Sequence, residues 1–170
     1  MKSLDEPVEY PLGGALEFLK RLWALNHAME RLSVRMLDEL GVTAQQRLVI
    51  RCVGKYPGIT SGGLAATLHL NAGTMSVALD RLENKGLVER RRDPRDRRRV
   101  LLGLTASGRR FDRKTPGTVE HAVNRLLEDE SADDIEAAKR VIEKLSSLLS
   151  EEAGGHPGGA VGARGNVPPG

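Results

Sequence analysis

Apolar residues recur at steps of mostly three and four between residues 12 and 40, at Leu16, Leu19, Leu22, Trp23, Met29, Leu32, Met36, Leu37 and Leu40. This spacing predicts one long amphipathic helix, with Gly41 as its stop. Thr43, followed three residues later by Gln46, forms a capping-box start for a second helix, whose apolar face is read as Leu48, Val49, Cys52 and Val53. The Tyr56-Pro57-Gly58 turn ends it. Ser61 is taken as the cap of a short third helix in which Leu64, Ala65 and Leu68 face inward.

Asn71 is a strong N-cap for the next helix, residues 72–85, which turns Met75, Ala78, Leu79 and Leu82 toward a core. Its other face, Gly73, Thr74, Ser76, Val77 and Asp80, carries nothing bulky enough to keep a second surface away. After Gly86 the pattern alternates as in a strand. Asp93-Pro94 marks a turn, RRVLLGL reads as a returning strand, and Thr105 caps a further helix. Helices followed by a hairpin and another helix give a mostly α fold of winged helix-turn-helix order, three helices plus a β-hairpin wing at residues 43–105.

Beyond it, Phe111, Val119, Ala122, Val123, Leu126 and Leu127 suggest helix, split by Thr115-Pro116-Gly117. Ser131 and Asp134 cap a last helix bearing Ile135, Ala138, Ile142, Leu145, Leu148 and Leu149. The stripes at 12–40 and 106–150 exceed what a winged module of this size can cover, so they are assigned to long terminal helices that form a dimerisation region. Residues 1–11 are read as an N-terminal arm. Residues 151–170, rich in Gly and Pro, are read as a disordered tail.

Composition agrees with one helical domain: of 170 residues, 39% are hydrophobic but only 3% aromatic, which suits Leu, Val and Ala packing between helices. No apolar run is long enough for a membrane span, and the N-terminal MKSLDEPVEYPLGG has no signal pattern, so a cytoplasmic protein is expected. One cysteine, Cys52, forms neither an internal disulfide nor a multi-cysteine zinc site.

Charge is placed unevenly. Residues 89–99 hold seven arginines against Glu89, Asp93 and Asp96, whereas the whole chain carries only +3. All of the positive excess thus sits in one hairpin, as expected of a local contact with a polyanion.

From Ile59 to Thr105 the chain resembles the MarR family of bacterial transcription regulators. The specific part is Leu79-Asp80-Arg81-Leu82-Glu83, Lys85-Gly86-Leu87-Val88, Asp93-Pro94-Arg95-Asp96-Arg97-Arg98, then Leu104-Thr105 and Gly108. Weaker resemblance covers about residues 12–150. It implies a homodimer built by the first and last helices of two chains, with two winged modules on a palindromic operator in double-stranded DNA. It also implies a repressor that responds to a small-molecule effector.

In a helix-turn-helix the second helix enters the major groove, so Gly73, Thr74, Ser76 and Val77 are candidates for base contact, with Arg81 one turn later on guanine or phosphate. Ser61 is a phosphate candidate. At the wing tip the family presents an arginine to the minor groove. Arg98 is assigned that place and Arg97 a phosphate, on the argument that strand alternation separates them, although the two roles are interchangeable. Asp96 is expected to hold the Arg98 guanidinium in position.

Four histidines are scattered, with no H-E-x-x-H, and Gly58–Gly63 lacks the lysine of a phosphate-binding loop, so neither enzyme nor cofactor is expected. His27 and Glu30 read as a surface pair rather than a metal site. An effector pocket in the family's position draws on Trp23, His27, Arg47 and Arg51, the competing reading being Trp23 as core and the arginines as solvated. Cysteine sensors of the family carry their thiol in the first helix, where this chain has none, so Cys52 reads as a buried, inert thiol. The alternative to sequence-specific DNA binding is a winged-helix module that meets an acidic protein or RNA.

Overall fold

The computed structural model describes residues 12–96 and 98–154. The expected arm at 1–11, Arg97, and the tail from residue 155 lie outside them. The element order is α1 (Gly14–Leu40), α2 (Ala44–Lys55), α3 (Ser61–Thr67), α4 (Ala72–Asn84), β1 (Val88–Arg92), β2 (Val100–Leu104), α5 (Ala106–Phe111), α6 (Val119–Asp129) and α7 (Ala132–Gly154). Contacts group the described residues into two units that divide between residues 123 and 124.

The core of the first unit gathers Val42, Val49, Ile50, Val53, Leu64, Met75, Leu79, Leu82, Leu87, Val88, Leu102 and Leu104. Each such side chain withdrawn from water contributes about 1.5–3 kcal/mol. Local signals fix where the helices start. Thr43 Oγ1 accepts from Gln46 N at 3.2 Å while Gln46 Oε1 accepts from Thr43 N at 3.2 Å, which is the expected capping box. Thr105 caps α5 through Gly108 N at 3.0 Å. Ser131 Oγ accepts from Asp134 N at 3.2 Å and opens α7.

Three expectations shift. The cap of α3 is Thr60, whose hydroxyl accepts from Gly63 N at 3.1 Å, and Ser61 is the first helical residue. Leu48 is half exposed, because the buried phase of α2 runs through Gln46, Val49, Ile50 and Val53. Helix α7 continues through Gly154, so residues 151–154 are helical rather than part of a tail.

β1 and β2 form a two-stranded antiparallel sheet in the register Val88↔Leu104, Arg90↔Leu102, Arg92↔Val100. Gly86, at φ +65, makes the left-handed turn that releases the chain from α4 into β1. β2 is also stitched to the segment before α3: Leu102 N donates to the Ile59 carbonyl and Gly58 N to the Leu102 carbonyl, both at 2.9 Å, with a bridge between Thr60 and Leu101. That third partner anchors the hairpin to the helical core.

Helix α5 packs against α2 and β2, with Phe111 against the winged core. At Gly108 a Cβ would lie 1.9 Å from the Leu87 carbonyl oxygen, so only glycine permits this approach of α5 to β1. The Thr115-Pro116-Gly117 split is present. Thr118 Oγ1 donates to the Thr115 carbonyl at 2.7 Å and accepts from His121 N at 3.3 Å near the start of α6.

Outside the winged core, apolar residues stand exposed. On α1 only Met36 is buried, and Leu16, Phe18, Leu19, Trp23, Leu25 and Met29 are all exposed. Helix α6 buries no residue, and Val141, Ile142, Leu148 and Leu149 of α7 are exposed. Among the described residues no helix is long and apolar enough to cross a membrane.

Candidate nucleic-acid interface

Helix α4 is built to show one small-residue face. Asn71 Oδ1 accepts from Thr74 N at 2.8 Å, which satisfies a free first-turn amide and starts the helix immediately before the candidate readers. Met75, Ala78, Leu79 and Leu82 then point into the core. The helical period leaves Gly73, Ser76, Val77 and Arg81 exposed and Thr74 half-buried. The sequence candidates on α4 therefore share one accessible face.

A notch of about 300 Å³ beside this face is lined by Thr43, Gln45, Gly73, Thr74, Val77 and Arg81. It adds Gln45, an exposed side chain in the first turn of α2. The sequence offered only the adjacent capping box as a pointer to that residue. Ser61 is half-buried at the start of α3.

At the hairpin tip the acidic side chains accept from backbone amides, and among the described residues they hold no guanidinium. Asp93 Oδ1 accepts from Arg95 N at 2.8 Å, Asp96 Oδ1 accepts from Arg98 N at 3.0 Å, and the Asp96 carbonyl accepts from Arg99 N at 2.9 Å. The expectation that Asp96 holds the Arg98 guanidinium is thus corrected: aspartates two residues before an amide close the turn with their side chains, which sets the backbone and spares the arginines. Arg98 lies in this turn, ahead of β2, so strand alternation does not govern where it points. Among the described residues, Arg92, Arg95, Arg98 and Arg99 are exposed and make no ion pair.

Two other arginines of the run are committed. Arg91 pairs with Glu89 at 2.5 Å on one side of the sheet. Arg90 pairs with Asp80 at 2.7 Å and with Glu83, both on α4. The charge run is therefore divided between a tip open to a partner and a base tied to α4.

Of the four effector candidates, Arg47 and Arg51 are brought together on the same Glu120 oxygen, at 2.7 and 3.8 Å, while Trp23 and His27 lie apart from them on α1. Trp23 is 65% exposed on α1 in the single chain and is not part of the winged core. His27 lines an open groove of about 610 Å³ along α1, with Glu30, Arg31 and Arg35, and neither Trp23 nor Arg47 nor Arg51 borders it. Arg47 is buried at 1% exposure, and its donors are spent on Glu120 at 2.7 Å, the Phe111 and Arg113 carbonyls at 2.9 and 2.5 Å, and Thr115 Oγ1 at 3.1 Å. It is a cross-link between α2 and the α5–α6 connection, not a free cation for a ligand. Arg51 pairs with Asp112 at 2.5 Å. Glu30 accepts from Asn26 at 2.9 Å. No cluster of potential metal ligands occurs among the described residues.

Cys52 is half-buried against the core of the first unit. Burial pushes its thiol pKa up, against the lowering pull of Lys55 and Arg51, so the reactive thiolate is disfavoured.

Three helices, a hairpin sewn onto them, and a small-residue face on the third helix define a winged helix-turn-helix protein. Residues 42–100 match the MarR family. The multiple antibiotic resistance protein MarR of Salmonella typhimurium is 32% identical over 130 residues, covering 73% of this chain and 87% of that protein. The organic hydroperoxide resistance transcriptional regulator of Bacillus subtilis is 28% identical over 134 residues, 77% of this chain and 88% of that one. Among solved structures, a mutant Escherichia coli MarR complexed with operator DNA superposes with a TM-score of 0.58 at 30% identity, covering 75% of this chain and 92% of that one. The chain belongs to the MarR family and is a transcriptional regulator, not an enzyme.

Proposed function

We propose that the protein is a cytoplasmic, homodimeric repressor that reads a palindromic operator, with α4 in the major groove and the hairpin tip against the adjacent minor groove. The observation that carries this reading is the pairing of surfaces. Gly73, Thr74, Ser76, Val77 and Arg81 present a close-approach face, and on the hairpin Arg92, Arg95, Arg98 and Arg99 are exposed and make no ion pair among the described residues, while the tip aspartates bond to backbone. Short hydroxyl and methyl groups suit base edges, and unpaired guanidinium groups suit phosphates and a narrow groove.

Dimerisation is supported by the exposed apolar residues of α1, α6 and α7, which a lone chain leaves in water. A palindromic site follows from a two-fold dimer. Light scattering at micromolar concentration should give twice the chain mass. A duplex selected from random sequence by the protein should be palindromic and bound in a salt-dependent way, with much weaker binding to its scrambled version. Equal binding to both duplexes would favour an acidic protein or RNA as the partner instead.

A further inference from the structure

Arg90 stands apart from the rest of the arginine run. Directly opposite residues of an antiparallel pair project to the same side of a sheet, and Arg90 lies opposite Leu102, which is buried at 1% exposure. Its side chain therefore leaves β1 toward the core side, where α4 runs, while Glu89 and Arg91 occupy the other side. There Arg90 Nη2 donates to Asp80 Oδ1 at 2.7 Å and Nη1 donates to Glu83 Oε2.

The two acceptors sit on α4, the helix that offers Val77 and Arg81 outward. Asp80 is the more exposed, at 56% of its side chain, and Glu83 is 41% exposed. A carboxylate beside Val77 and Arg81 would oppose any approach to phosphates. Arg90 spans both carboxylates and is itself only 29% exposed, so a single cation from the hairpin base offsets two anions on the helix. Its guanidinium pKa is pushed further above the ordinary arginine value, first by the Asp80 hydrogen bond and then by Glu83, against partial desolvation.

We propose that Arg90 is a positioning residue for DNA binding, which acts through Asp80 and Glu83 rather than by touching DNA: it offsets the acidity of the reading helix and fixes the hairpin base to it. This rests on the DNA-binding reading of α4. The same contacts explain why a helix meant for a polyanion tolerates Asp80 and Glu83. They also give the hairpin and α4 one shared anchor, so that wing and helix meet a duplex in a set relation.

A double-mutant cycle on the full chain tests this. Affinity for a palindromic duplex selected by the unaltered protein is measured for that protein, for Arg90→Ala, for Asp80→Asn with Glu83→Gln, and for all three changes together. Arg90→Ala is expected to weaken binding about tenfold at about 50 mM salt and less as screening rises. In the background where both carboxylates are neutral, the same change is expected to cost less than about twofold, because the groups it acts through are gone. Arg90→Lys should recover part of the loss by keeping the charge while losing the forked contact. Thermal melts of each variant separate affinity from folding, since a purely structural role would lower melting without altering the affinity of the folded protein. Equal losses in both backgrounds would mean that Arg90 contacts phosphate directly, and would overturn the inference while leaving the DNA-binding reading intact. Failure of the unaltered protein to bind any duplex would overturn both.

Discussion

Adding one methyl group at Gly108 should separate α5 from the hairpin that α5 supports. The new Cβ would stand 1.9 Å from the Leu87 carbonyl oxygen, 2.9 Å from its carbonyl carbon and 3.4 Å from its Cα. All three are backbone atoms, so no rotamer change relieves the clash, and α5 must withdraw by about 1.5 Å to reach ordinary contact. Leu87 cannot yield outward, because Leu87 and Val88 are 5% and 2% exposed within the core. Withdrawal also strains the donation from Thr105 N to the Leu87 carbonyl at 3.2 Å and the Thr105 cap on Gly108 N at 3.0 Å. Overpacking costs about 1–3 kcal/mol and a weakened cap about 1 more, while the better helix propensity of alanine returns up to about 1. The net loss for Gly108→Ala should be about 1–4 kcal/mol. Urea denaturation followed by helical circular dichroism, at fixed protomer concentration, should show a lower midpoint with the same slope. Gly103→Ala is the control, since a Cβ there meets only the Glu89 side chain, at 3.6 Å and beyond. A Gly108→Ala midpoint equal to that of the unaltered protein would refute the close-approach argument.

Three further outcomes follow. Asn71→Ala removes the acceptor for Thr74 N and should cost about 1 kcal/mol by urea denaturation, with faster amide exchange in the first turn of α4. Arg47→Met removes the donor to Glu120 and to the Phe111 and Arg113 carbonyls, and should cost about 2–4 kcal/mol, toward the lower end because Glu120 is 29% exposed and keeps Arg51 at 3.8 Å and the Arg113 carbonyl keeps the Thr115 hydroxyl at 3.0 Å; a loss under about 0.5 kcal/mol would contradict the cross-link. Cys52, whose pKa is raised by burial, should react with iodoacetamide at pH 7 more slowly than a free thiol. It holds its proton to higher pH folded than unfolded, so its contribution to stability is complete below the ordinary thiol value of 9.0 and is lost as pH rises through the folded value.

Legibility of the sequence followed the range of each interaction. Thr43 with Gln46, Asn71 with Thr74, Thr105 with Gly108 and Ser131 with Asp134 are all caps with both partners three residues apart, and each was readable as written. At Thr60 and Ser61 two adjacent hydroxyls offered the same signal, and the difference depends on the bridge from Thr60 to Leu101, which no local pattern reveals. From sequence alone Arg47 reads as a solvated or ligand-facing cation, because its partners lie 64 to 73 positions away and a buried arginine breaks the apolar phase that marks α2. The exposed face of α4 was legible from helical period alone. The division of the arginine run was not, since the fate of Arg90 depends on sheet register and that of Arg98 on a turn whose aspartates had a choice between backbone and guanidinium.

The central claim is that α4 reads bases while the hairpin tip supplies charge, and one paired titration separates the two. Affinity of the unaltered protein, Thr74→Ala and Arg98→Ala is measured on the selected palindromic duplex and its single-pair variants across a range of salt. Arg98→Ala should weaken binding to every related site and reduce the slope of log affinity against log salt by about one unit. Thr74→Ala should cost about 1–3 kcal/mol on the selected site and relax preference at one symmetric pair of positions, with the salt slope unchanged. If Thr74→Ala binds every duplex as the unaltered protein does, α4 is not the reading element, and the account of this surface is wrong.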